Sequence, residues 1–160
     1  VYVSIHEYPL YPGTGALDEV GAGEGLGATV NFPVPHGATG DVFRAAVDEV
    51  VAPLADRWKP TWVLVSAGFD AHRRDPITGL GLTSADFADL TRDVVGLVPP
   101  GRRLLFLEGG YDLQGLADSA GAALAALVDE DYRPEPASNG GPGHHIVEAV
   151  KRQRSMLGLP

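Results

Sequence analysis

The chain has 160 residues, one ordinary domain's worth, and 44% of them are hydrophobic, so a sizeable core is expected. Its 21 acidic residues outnumber 12 basic ones for a formal charge of −9, which argues against nucleic acid or an anionic membrane as partner, because phosphate binding needs clustered Lys and Arg. There is no cysteine, which excludes disulfides, thiolate metal sites and a Cys nucleophile, and no apolar run approaches the roughly 20 residues of a membrane span. A cytoplasmic location is the expectation, and a start in strand-like sequence without Met hints at a longer protein.

The elements follow in order. "VYVSIH" (1–6) is β-branched and aromatic and predicts a buried strand. Residues 7–27, dense in Gly and Pro, form a loop longer than compact domains usually carry without a functional reason. "ATVNFPV" (28–34) predicts a second strand. Residues 39–58 have helical spacing, with Val42, Ala46, Val50 and Leu54 on one face, and Pro53 should bend or restart the helix. "TWVLVSA" (61–67) is almost continuously apolar, as in a parallel strand covered on both faces. A helix over 83–98 begins at Thr83 with Asp86 three residues on, an Asp version of the capping box. "RRLLFLE" (102–108) predicts another buried strand, and 112–128 an Ala-rich helix. Residues 129–143 read as a polar linker, and 144–160 as a short terminal helix and tail. Strands alternating with helices predict an α/β fold with an open parallel sheet flanked by helices, whose ligands sit outside the carboxyl ends of the strands.

Two strand ends carry unusual chemistry. Asp70 follows the strand over 61–67, where an unpaired carboxylate is costly to ionise. It reads either as a helix-capping or turn residue, or as a salt-bridge partner of Arg73 or Arg74, or as an oxygen ligand to a divalent metal; one Asp alone cannot make a zinc site. "EGGY" (108–111) follows the next strand. Its glycines allow close backbone approach or positive φ, and Tyr111 either packs over a turn or offers its hydroxyl to a developing oxyanion. "GAGEGLGA" (21–28) matches a dinucleotide fingerprint in spacing but follows a loop and opens a strand, the reverse of what phosphate binding requires. His72 reads as structural, and His144 and His145 as solvated.

Taken together, "VSIHEYPLYPGTGALDEVGAGEGLGATVNFPV", "VLVSAGFDAHRRDPITGLGLT" and "LEGGYDL" resemble the C-terminal half of the histone deacetylase superfamily over residues 1–128. The likeness is class II in flavour and includes acetoin-utilisation proteins and acetylpolyamine amidohydrolases. The resemblance implies an arginase-like α/β fold and a Zn2+-dependent amidohydrolase acting on acetylated lysine or a small acylamine. It implies Asp70 as a zinc ligand, Tyr111 as the oxyanion donor, Gly109 in the substrate site and Tyr11 as a wall of the acyl tunnel. It also implies, less directly, a structural K+ held by the Ser4 side chain and the Ile5 carbonyl. The family's paired general-base histidines and its other two zinc ligands match nothing in residues 1–160, so the chain is expected to be inactive alone. A complementing N-terminal half, or a homo-oligomer, would be its partner. The polyamine branch has an acidic gatekeeper two residues after the Asp of "DP"; here that position is Ile77. The reading from a different class is a non-catalytic α/β interaction module, whose exposed apolar edge would demand a partner.

Overall fold

The computed structural model describes residues 1–159. Strand β1 (Tyr2–Glu7) pairs in parallel with β2 (Thr29–Val34), Ser4 opposite Asn31. Strand β3 (Val63–Ala67) pairs in parallel with β4 (Arg103–Leu107), Ala67 opposite Leu107. Every pairing is parallel, as the alternating pattern predicts, but the strands form two separate two-stranded sheets instead of one. The long connection 7–27 holds only a short 3-10 turn at Gly23–Gly25, and "GAGEGLGA" leads into β2 with no helix to carry a phosphate.

The first sheet carries the core. Val30, Phe32 and Val34 of β2 are buried against Val42, Phe43 and Ala46 of α1 (Gly40–Ala46) and Val147 and Val150 of α5 (His144–Met156). Burying each of these Val and Phe side chains contributes about 1.5–3 kcal/mol before the entropy of ordering it. The expected restart at Pro53 is present: α1 runs through a π turn (Val47–Val51), with the Ala52 N–H donating five residues back to Val47, and α2 (Ala52–Trp58) begins with the proline in its first turn. Proline has no N–H to donate and its ring crowds the preceding turn; a wider turn upstream makes room for it. The buried face from Val42 to Leu54 therefore survives.

Helix α3 (Ser84–Gly96) begins with the expected capping box between Thr83 and Asp86. It packs on α4 (Leu113–Leu127) through Ala88, Ala122 and Ala126, whose small side chains let the two helices lie close. Strands β3 and β4 are not the doubly covered strands that their sequences suggest. Their inner face, with Val65 and Leu105, is turned inward, but Leu64 is 65% exposed and Phe106 51%. The apolar run is there, but the helices of this chain cover one face of it.

Residues 129–143, polar and free of helix or strand, are tied down by hydrogen bonds. The Thr83 hydroxyl donates to the Pro136 carbonyl at 2.8 Å, and the Ser138 N–H donates to both carboxylate oxygens of Asp86 at 3.1 and 3.2 Å. Asp86 is fully buried and also takes the Arg44 guanidinium at 2.6 Å, which compensates its desolvation.

Candidate active site

The C-terminal ends of β3 and β4 are laced together. The Phe69 N–H donates to the Gly109 carbonyl at 2.8 Å, and the Glu108 N–H to the Ala67 carbonyl at 3.2 Å. This brings Asp70 directly against Gly109: a Cβ at residue 109 would sit 2.8 Å from the Asp70 carboxylate, and one at residue 68 would sit 3.0 Å away. The two glycines of "EGGY" therefore serve different needs. Gly109 clears space for a carboxylate, and Gly110, at φ +134°, supplies the backbone turn.

Asp70 has no cationic partner among the described residues. Arg73 goes to Glu135 at 2.7 Å, and Arg74 to Asp118 at 3.2 Å and Asp112 at 3.5 Å. The salt bridge to Arg73 or Arg74 is thereby overturned: the two arginines that it needs are directed elsewhere by other carboxylates. Burial raises the Asp70 pKa, and the nearby carboxylates of Asp75 and Glu108 push the same way, against its own and the Ala71 N–H groups. A half-buried, uncompensated carboxylate at a strand tip is suited to a cation.

Asp75 fixes the other side. It is buried, and its Oδ2 accepts from the backbone N–H of Tyr111 at 2.6 Å and of Asp112 at 3.3 Å, while Oδ1 accepts from Ile77 at 2.9 Å. Tyr111 is thereby held at the mouth of β4 with its side chain 60% exposed. Asp112 then caps α4 by accepting from Gly115 at 2.6 Å. The Thr78 hydroxyl anchors the turn from below by donating to the Asp70 carbonyl at 2.6 Å.

Tyr11 is 95% exposed and borders, with Asp70, a cavity of about 630 Å3 between β1, β3 and α3. Its loop is secured by His6, whose Nε2 lies 3.1 Å from the Gly15 carbonyl and whose Nδ1 lies 2.8 Å from the Ser4 hydroxyl. A carbonyl only accepts, so Nε2 carries the proton, and in the neutral ring the Ser4 hydroxyl donates to Nδ1. Ser4 keeps its oxygen lone pairs for another partner. Asp70 and Gly109 are thus in contact, Tyr111 follows on the same β4 loop, and Asp70, Tyr11, Ser4 and Ile5 all line the cavity. Among the described residues, no three His, Asp or Glu side chains come close enough to hold a metal ion.

Three contributors escape a sequence reading. Asp75 sits before a proline, a turn signal, but its hydrogen bonds reach 36 and 37 residues onward. Thr78 looks like any loop residue. Glu135 lies in the polar 129–143 segment, where nothing marks it as the partner of a buried histidine 63 residues earlier.

A family model described as histone deacetylase domain matches residues 1–127. The chain belongs to the histone deacetylase family. It is 37% identical to "Histone deacetylase 14, chloroplastic" of Arabidopsis thaliana, over 97% of this chain and 38% of that protein. It is 38% identical to a "Probable deacetylase" of Archaeoglobus fulgidus, over 84% of this chain and 41% of that protein. The crystal structure of the HDA15 HD domain superimposes with a TM-score of 0.84 at 36% identity, over 97% of this chain and 43% of that one. The structure of the histone deacetylase Clr3 does so with 0.86 at 35% identity, over 98% and 27%. The deacetylase (arginase-like) α/β fold is therefore shared, and the chain spans less than half the length of these relatives.

Proposed function

We propose that this chain supplies one side of a zinc-dependent deacetylase site, with Asp70 as one of the metal's ligands and Tyr111 as hydrogen-bond donor to the oxyanion of an acetamide. The observation that carries this is the placement of Asp70: a half-buried carboxylate at the tip of β3 without a counter-charge, facing space that Gly68 and Gly109 keep clear. The residues of the chain do not by themselves assemble a metal site. In a complete enzyme, zinc would polarise the acetamide carbonyl and activate water. The remaining ligands and the general base would come from outside these 160 residues, in a longer protein or a second chain. Acetylated lysine in peptides, or a small acylamine, is the substrate class; Tyr11 would line its path. Ile77, exposed near the site, offers no charge to select a polyamine. Ser4 and Ile5 are the proposed K+ contacts. A cytoplasmic location is part of the same proposal.

The test is direct. The isolated chain is expected to bind less than stoichiometric zinc and to leave a fluorogenic acetyl-lysine peptide intact. Adding the N-terminal half of a close relative, or extending the chain upstream, is expected to restore both. Stoichiometric zinc and rapid hydrolysis by the chain alone would overturn the proposal.

A second reading has its own observation. Leu64, Leu104 and Phe106 form a bare apolar face on the β3–β4 sheet, which suits a non-catalytic interaction or oligomerisation module. A folded self-associated chain that gains no activity from the complementing half would favour it.

A further inference from the structure

We propose that Glu135, from the segment that follows α4, is a positioning residue for Asp70, acting through the imidazole of His72. This rests on the reading of Asp70 as the site's carboxylate ligand.

His72 is two residues past Asp70 and is 1% exposed. Its backbone belongs to the same turn: the His72 N–H donates to the Phe69 carbonyl at 3.1 Å, and the His72 carbonyl accepts from Asp75 at 2.7 Å. Its ring is held at both nitrogens. The Arg74 N–H donates to Nδ1 at 3.2 Å, so Nε2 carries the proton and donates to Glu135 Oε2 at 2.8 Å. Glu135 also accepts from Arg73 at 2.7 Å and from the Ser84 N–H at the start of α3 at 3.1 Å. The ring has no room to shift toward α4, because even a Cβ at residue 115 would lie 2.8 Å from Nδ1. One carboxylate thus joins the Asp70 turn to the N-terminus of α3.

The rest of the segment stays fastened without Glu135, through Thr83 to Pro136 and Asp86 to Ser138. Loss of Glu135 should therefore loosen the Asp70 turn more than the rest of the molecule. A buried imidazole N–H left without an acceptor costs enough to open the turn about ten- to hundredfold more often.

Amide hydrogen exchange on the 160-residue chain tests this, with Glu135→Ala and Glu135→Gln. In Glu135→Ala, the amides of His72, Arg74 and Asp75 are expected to lose about ten- to hundredfold more protection than those of Val30 and Phe32. Glu135→Gln, whose amide oxygen still accepts from Nε2, is expected to restore most of it. Unchanged protection in Glu135→Ala overturns the proposal, as does an equal loss throughout the molecule, which would mark Glu135 as a general stabiliser. A second readout concerns Asp70 itself: Mn2+ should broaden the Asp70 carboxyl and Gly109 amide signals in the wild type and in Glu135→Gln, and much less in Glu135→Ala. Equal broadening in all three overturns positioning. No broadening even in the wild type counts against Asp70 as a ligand, and the exchange result then decides positioning alone.

Discussion

The Asp75 carboxylate holds Tyr111 by its backbone, accepting from the Tyr111 N–H at 2.6 Å. The residue proposed to meet the oxyanion is therefore positioned by a carboxylate 36 residues upstream, on the loop that also carries Asp70. The same Asp75 fixes Ile77 with its other oxygen, so one carboxylate ties the two loops together. Asp75→Asn keeps one acceptor oxygen and turns the other into a donor facing an N–H. The chain is expected to lose about 1–3 kcal/mol of stability by urea denaturation. In the completed enzyme turnover should fall while substrate binding changes less.

Asp70 works against the fold that carries it. Burial raises its pKa above the ordinary 3.8, so the folded state holds the proton more tightly than the unfolded chain does. Stability from this group is then highest below pH 3.8, declines as pH rises through the interval up to the raised value, and stays diminished at neutrality. Asp70→Asn removes that loss and is expected to raise the melting temperature at pH 7, with no gain at pH 3, while abolishing zinc-dependent activity in the completed enzyme. A lower melting temperature at pH 7 would show that the carboxylate is a structural anchor.

Tyr111 contributes to the fold through its backbone N–H, and its side chain is exposed. Tyr111→Phe is therefore expected to leave thermal stability within about 0.5 kcal/mol of the parent. In the completed enzyme it should lower kcat about 10²- to 10³-fold with zinc content unchanged.

The acid limb of stability has a nameable source. Burial acts to raise the Glu135 pKa, but hydrogen bonds from His72, the Ser84 N–H and Arg73 outweigh it and lower the value from 4.5 to about 2. Asp41 is likewise lowered from 3.8 to about 2, against its own burial, by Thr39, His144 and the Gly140 N–H. A carboxylate with a depressed folded pKa stabilises fully above its unfolded value, and that stabilisation is lost as pH falls through the folded one. Both groups fasten the 129–143 segment, so stability is expected to fall between about pH 4.5 and 2. Glu135→Gln should flatten that limb in a pH series of melting curves.

Much was legible in the sequence because it is local. Local composition and spacing depend on neighbours a few residues apart: apolar runs locate β1 through β4, helical periodicity the α1–α2 face from Val42 to Leu54, and the Thr83-to-Asp86 spacing the cap. The motifs around Asp70 and Tyr111, read with "YPGTG", point to the deacetylase family by themselves. What periodicity could not show was coverage. "TWVLVSA" has the composition of a strand buried on both faces, yet Leu64 is bare, because burial depends on what the rest of a fold brings against a strand. Nor could it show partnership over distance. Whether Arg73 neutralises Asp70 or Glu135 is a matter of geometry between loops 62 residues apart, and only the tertiary structure decided for Glu135. That choice leaves Asp70 without a counter-charge: the sequence places a carboxylate at the tip of a strand, and the packing of distant segments directs the nearby arginines away from it.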